Sequence, residues 1–263
     1  TLTLSGASIT CTQSAPIYIK KANSVSIVLA DGTDNTVADT DNYVLEEGED
    51  EPDAAIFSKA DLSISGSGSL QVQGNYDMAI HSKDFLYFDG NGTYDILAAG
   101  DGIKGKDGVQ ITGEPTMSIT AGNDGIQSTN KKDAALGGIL VNGGTIAITA
   151  GKHGIKAQTQ LSVVDGKLTI DAQEDGLHAG TAVEIGSEDG STIPELTITA
   201  QSDGVQSGTD LTLLSGSLSV ITSGGAANAP EHTEEFGFPG WFDQTQSADD
   251  EDDVSAKGLK SDG

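Results

Sequence analysis

Carboxylates recur at fixed places in a repeated phrase, with the oxygen chemistry that holds hard cations. The phrase reads Gly100-Asp-Gly-Ile-Lys-Gly-Lys, Asn123-Asp-Gly-Ile-Gln-Ser, Lys152-His-Gly-Ile-Lys-Ala, Glu174-Asp-Gly-Leu-His-Ala and Ser202-Asp-Gly-Val-Gln-Ser. Aligned on the apolar residue after the glycine, the copies fall at Ile103, Ile126, Ile155, Leu177 and Val205, with looser copies at Ile56, Ile80 and Leu259. Two positions before that anchor stand Asp101, Asp124, His153, Asp175, Asp203 and Lys257. One place earlier stand Asp53, Asp77, Gly100, Asn123, Lys152, Glu174 and Ser202. If the copies stack, these columns become ladders, and Asp101–Asp124 and Asp175–Asp203 become neighbouring rungs. Two unit charges about 4 Å apart repel by roughly 1 kcal/mol in water and roughly 4 kcal/mol at an effective dielectric of 20. Such a pair raises a carboxyl pKa, faces open water or holds a cation. Oxygen donors without cysteine favour Ca2+ over zinc. The candidate ligands on this reading are Asp101, Asp124, Asp175 and Asp203, with Asn123 and Glu174 beside them. The basic rung Lys152-His153 offers the alternative of neutralising both neighbours without metal.

A second set of columns is basic. Lys20, Lys59, Lys83 and Lys106 follow the anchor by three places, and His81, Lys104, Lys156, His178 and Lys260 follow it by one. The whole chain has only 13 Lys and Arg against 40 Asp and Glu, so this clustering is a pattern in its own right. Lysines beside a calcium-bearing carboxylate ladder can receive an acidic sugar, and a lysine of lowered pKa can take the proton α to a uronate carboxylate. Lys83, Lys104, Lys106, Lys156 and His178 are the candidate sugar contacts. The plainer reading is solvated ion pairs with Asp84, Asp101 and Asp107, each worth little.

The elements that must carry these columns are short strands. Steps of 23, 29, 22 and 28 residues between anchors signal a solenoid. Runs such as Leu62-Ser-Ile, Val109-Gln-Ile, Ile146-Ala-Ile, Leu168-Thr-Ile and Leu196-Thr-Ile alternate with period two and are too short for helices. Gly113-Glu-Pro, Asn142-Gly-Gly and Asp165-Gly mark corners between them. Three strands and three corners per coil predict an all-β, right-handed parallel β-helix, with successive coils about 4.8 Å apart. The glycine of each phrase is expected to serve a corner that needs positive φ or close approach between coils.

Residues 1–263 are read as one such domain with loop insertions at 37–53 and 223–254; shorter breaks fall at 129–138 and 186–194. Insertions in solenoids protrude from one face, often the binding face. The 223–254 insertion holds Trp241, the chain's one tryptophan, beside Phe236, Phe238 and Phe242. Trp241 is a candidate for stacking on sugar rings; its alternative is to pin the loop onto the coil.

Charge narrows the partners. A formal net charge of −27 disfavours nucleic acid, whose phosphates need Lys and Arg, and an anionic membrane surface would repel the chain. No run of 18 or more apolar residues exists. Cys11, the single cysteine, excludes an intrachain disulfide and reads as a buried thiol. No signal peptide is visible, and the strand-like opening Thr1-Leu-Thr-Leu reads as the start of a trimmed mature fragment. The last coil is only begun, so further residues or a partner are expected at that edge.

Several of these segments together resemble a known family. They are Ala54-Ala-Ile-Phe-Ser-Lys-Ala-Asp-Leu, Asp101-Gly-Ile-Lys-Gly-Lys-Asp, Asp124-Gly-Ile-Gln-Ser-Thr-Asn, the Gly-Gly-Thr-Ile-Ala-Ile-Thr-Ala-Gly phrase at 143–151 and Ser255-Ala-Lys-Gly-Leu-Lys. Their order resembles that in secreted bacterial carbohydrate-binding, polysaccharide-lyase-like right-handed β-helix proteins, over about residues 1–222 and 255–263. The resemblance implies an extracellular or cell-surface protein, calcium on the helix, and binding of cellulose and acidic sugars such as polygalacturonate. It implies Asp101, Asn123 and Asp124 as calcium ligands with Asp77 as a fourth, and Lys104, Lys106 or Lys156 as the base of a calcium-dependent pectate-lyase-like β-elimination. The chain departs from the family pattern at Met78-Ala79, at His153 and at Gln127. Polysaccharide binding is therefore the leading expectation, with the lyase second and a structural or adhesive surface spacer third.

Overall fold

The computed structural model describes residues 1–45, 47–223 and 256–263. Its strands stack in parallel as a β-solenoid of about nine turns, and no helix occurs among the described residues. Each coil contributes one strand to a short face and one to each of two long faces. In one coil these are Ile103–Gly105, Gly108–Gly113 and Thr116–Ala121; in the coil before it they are Met78–Ser82, Phe85–Gly90 and Thr93–Ala98. The strands Gly138–Ala150 and Leu161–Ala172 run unbroken around the corner between the long faces. They join both long faces into one 16-stranded sheet, while the short face is a separate sheet of nine strands.

Register follows the anchor column. Ile17, Ile56, Ile80, Ile103, Ile126, Ile155, Leu177, Val205 and Leu259 pair in sequence down the short face. On the long faces Leu62–Leu86–Val109–Ile139–Leu161–Val183 and Val72–Ile96–Ile119–Ile148–Ile170–Ile198 form matching inward ladders. Period-two alternation sends these side chains to the axis, where they form one continuous buried cluster. Insertions leave register intact because they sit at corners: 129–137 precedes Gly138, and 186–194 lies between Ala182–Ile185 and Glu195–Ala200.

Three expectations are refined. The phrase glycines Gly102, Gly125, Gly154, Gly176 and Gly204 do not have positive φ. Close approach is their reason: a Cβ on Gly125 would lie 2.6 Å from the carbonyl oxygen of Gly154 in the next coil and against the side chain of Ile148. Cys11 is partly exposed rather than buried, because it lies on the first coil, where only one neighbour covers it. The insertion expected at 37–53 begins at 39, after the strand Asp34–Ala38. The other large insertion, with Trp241, lies outside the described residues apart from Ser223. No helix is long and apolar enough to cross a membrane among the described residues.

Candidate functional site

Because the anchor points inward, the residue after it points out. On the short face this outward row reads Tyr18, Phe57, His81, Lys104, Gln127, Lys156, His178, Gln206 and Lys260, in coil-by-coil register. The N-terminal part of the row is covered. The loop at 39–53 folds over it, leaving Phe57 and His81 buried. Asp53 Oδ1 meets His81 Nδ1 at 2.6 Å, and Glu51 pairs with both Lys59, at 2.9 Å, and Lys83. The same loop is fixed at its root by the Tyr43 hydroxyl donating to Asp39 Oδ2 (2.6 Å) and by Tyr43 stacking on Tyr76. Lys83 is thus engaged by this loop and set apart from the remaining candidates. A cleft of about 200 Å³ lined by Tyr18, Lys20, Glu51, Pro52 and Lys59 opens at that end.

From Lys104 onward the row is partly exposed: Lys104, Gln127, Lys156, His178, Gln206 and Lys260. No acid stands in it. In a chain of net charge −27 this is a strip of ammonium, amide and imidazole donors. Lys106 lies to one side, three places after its anchor, with its Nζ 3.7 Å from Asp107 Oδ1.

The acids of the phrase lie at the corner leading into this face, and they are buried. Their first task is internal. Asp101 Oδ1 accepts the backbone N–H of Asp124 at 3.2 Å; Asp124 Oδ1 accepts that of His153 at 3.1 Å. Asp175 Oδ1 accepts the N–H of Asp203 at 2.9 Å, and Asp203 Oδ1 that of Lys257 at 2.7 Å. Asp101, Asp124 and Asp175 thereby each satisfy a buried donor of the next coil, which would otherwise cost about 1–3 kcal/mol, and Asp203 does the same for a more exposed one. The other oxygen turns to the donor row: Asp101 to Lys104 (3.5 Å), Asp124 to Gln127, Asp175 to His178 (2.9 Å) and Asp203 to Lys260 (3.7 Å).

The columns divide into three settings. In the first, Asp53, Asp77 and Asp101 occupy successive coils. Burial raises the Asp77 carboxyl above the usual range, and the charges of Asp101 and Asp53 raise it further. Asp101 is raised too, by burial and by Asp124, against the pull of Lys104. The Asp77 carboxylate fills the space a Cβ would need at Gly100, which is why that position is glycine. In the second, Asp124 is pushed up by burial, but the hydrogen bonds and charge of His153 outweigh this and hold it below the usual range. Both its oxygens are already bonded within the chain. In the third, Glu174 and Asp175 meet two imidazoles: His153 Nε2 lies 3.3 Å from Glu174 Oε2 and 3.6 Å from Asp175 Oδ2. Asn123, partly exposed, ties its neighbours through its backbone, donating to Gly100 and accepting from Lys152.

In the first setting like charges on successive coils meet at Asp77, while Asp53 Oδ1 is held by His81 and both oxygens of Asp101 by the Asp124 N–H and Lys104. The oxygens of Asp124 and Asp203 are likewise occupied by backbone and side-chain donors.

The family model for carbohydrate-binding domain-containing proteins matches residues 1–193. The chain belongs to this family. A carbohydrate-binding domain-containing protein of Acetivibrio thermocellus is 44% identical over 90 residues, 34% of this chain and 32% of that protein. The chain thus matches about a third of that relative's length. A solved structure of the polysaccharide lyase-like protein from C. thermocellum, a gadolinium derivative, superposes with a TM-score of 0.61 at 34% identity, covering 74% of each chain. The family match takes in the donor row as far as His178; Gln206 and Lys260 lie beyond it.

A further column escaped the reading of the repeats. Asp61, Asp84, Asp107 and Asn130 line the opposite corner of the short face; Asn130 donates to Asp107 at 2.6 Å, and burial, then Asp107 and Asp61, raise the Asp84 carboxyl. The phrase ends before this column, so an alignment built on the phrase does not reach it.

Proposed function

We propose that this protein binds polysaccharide along the open short face, with acidic pectic chains as its preferred ligands and calcium as a support. The observation that carries the reading is the acid-free row Lys104–Gln127–Lys156–His178–Gln206–Lys260 on a straight, regular surface. A linear polymer meets such a row as repeated modest contacts, uronate carboxylates facing the ammonium groups and hydroxyls facing the amides and imidazole. Cellulose would use the hydroxyl contacts alone and bind less tightly. Calcium would sit beside Asp77, with Asp53 and Asp101 turning from their internal partners to join it, and would supply counter-charge to the acids at the corner beside Lys104. The secreted or cell-surface setting belongs to the same reading, because extended polysaccharide is met outside the cell.

The test is a depletion assay on polygalacturonate and on cellulose, in calcium and in a calcium-selective chelator, with product absorbance in the ultraviolet followed at alkaline pH. The expected result is saturable binding to polygalacturonate, weakened by chelation and by salt, with no unsaturated product. Failure to retain either polymer under both conditions overturns the proposal. Steady formation of unsaturated product would replace it with the lyase.

A further inference from the structure

We propose that His153, Asp175 and His178, with Glu174 at the outer edge, form a centre for one zinc-class divalent cation, at the joint between the coils of Ile155 and Leu177. His153 stands in the column where the other coils place Asp101, Asp124, Asp175 and Asp203. His178 stands in the donor row one coil on. The parallel register brings the two imidazoles face to edge with centroids 5.0 Å apart. His153 Nε2, a ring nitrogen of His178 and a carboxylate oxygen of Asp175 lie within 4.8 Å of one another. Glu174 Oε2 is 3.3 Å and Asp175 Oδ2 3.6 Å from His153 Nε2. Metal–ligand bonds of about 2.0–2.1 Å in a tetrahedron place ligand atoms roughly 3.3 Å apart, and the three groups, within 4.8 Å of one another, close by up to about 1.5 Å to meet it.

The surroundings also orient the ligand. Nδ1 of His153 meets the buried Asp124 Oδ1 at 2.9 Å, and that oxygen is fixed in turn by the His153 backbone N–H. A carboxylate behind the imidazole sets its tautomer and directs Nε2 at the metal. Access is through the outer side of the cluster, where Glu174 is 45% and His178 26% exposed by side chain, while His153 at 8% is not. Two imidazoles with carboxylates select zinc, and by the same order cobalt, nickel and copper, over calcium, which takes six to eight oxygens. The centre is therefore distinct from the Asp53–Asp77–Asp101 setting in donors and in metal. With three protein ligands drawn from two neighbouring coils and a fourth position open to water or to Glu174, it ties those coils together.

The test uses tag-free chain stripped of metal and titrated with Zn2+ in an excess of Ca2+, with no glycan present. The expected result is one zinc per chain and a rise in melting temperature, and Co2+ in the same place gives the intense visible bands of a tetrahedral site. His153→Gln and His178→Gln each weaken binding by roughly 10–100-fold and Asp124→Asn by roughly 10-fold, in line with the loss of a ligand or its orienting partner. His232→Gln, which removes the fourth histidine of the chain, leaves zinc binding unchanged. If His153→Gln does not fold, the more exposed His178→Gln carries the comparison. Zinc uptake no greater than in His178→Gln, uptake that depends on His232, or an octahedral cobalt spectrum would each overturn the proposal and leave His153 as a hydrogen-bonded bridge alone.

Discussion

Asp77 and Asp124 sit two coils apart at the same corner, yet their surroundings drive them in opposite directions. Asp77 gains burial and two like charges; Asp124 gains burial and a histidine. The pH consequences follow from the signs. Asp124 and Asp175, both lowered, contribute stability that is full above the ordinary carboxylate range, near pH 4, and is lost as pH falls through their lowered values. Asp77 and Asp101, both raised, favour the fold when protonated, and that contribution is lost as pH rises through their raised values. At neutral pH, Asp77→Asn should therefore raise the melting temperature of calcium-free protein by a few degrees. This corresponds to relief of repulsion on the order of 1 kcal/mol. If calcium is held at Asp77 as proposed, it should stabilise the parent chain and not this variant. Thermal melts at pH 7 and pH 5, with and without calcium, check both halves; a lower melting temperature for calcium-free Asp77→Asn would contradict the account of the corner. The sequence shows the acids in columns but not where their oxygens point. That depends on backbone N–H groups of the next coil, which a stacked alignment does not orient. Hence Asp124 and Asp203 read as free ligands in the alignment while the structure bonds them internally.

At the scale of the coil, the phrase glycines set the distance between the acid corner and the long face. Gly125→Ala would drive a methyl into the Gly154 carbonyl and the Ile148 side chain, neither of which can retreat without shifting the ladder. The expected cost is about 1–3 kcal/mol, read as a fall in the denaturation midpoint at constant slope. Gly258→Ala, where a Cβ would meet nothing, should be neutral, so the pair separates close packing from backbone preference. Equal losses at both positions would show that the glycines serve conformation and not approach. The anchor register was fully legible, because a strict apolar position in every copy leaves one way to stack Ile103 on Ile126 and Ile155. The loop at 39–53 was legible only as an interruption. That it closes over Phe57 and His81 depends on Glu51, Asp53 and Tyr43 finding partners on neighbouring strands and coils, and no local signal marks those pairings.

Over the whole molecule, charge is distributed unevenly: 40 acids against 13 bases, yet one outward row carries no acid for six coils. On the proposed function, polymer binding to that row would be electrostatic and would sum small terms. Removing one exposed charge contact costs about 0.2–1 kcal/mol, or roughly 1.5–5-fold in affinity. Reversing two charges adds repulsion to the loss. The most direct measurement is the affinity of soluble polygalacturonate for the parent chain and for Lys104→Glu/Lys156→Glu, at low and high ionic strength. The account expects roughly 10-fold or greater weakening in the double variant at low salt, in a chain that folds with a lower melting temperature because each glutamate faces a buried acid, and a binding difference that shrinks as salt is added. Equal affinity in the two chains at low ionic strength would contradict it.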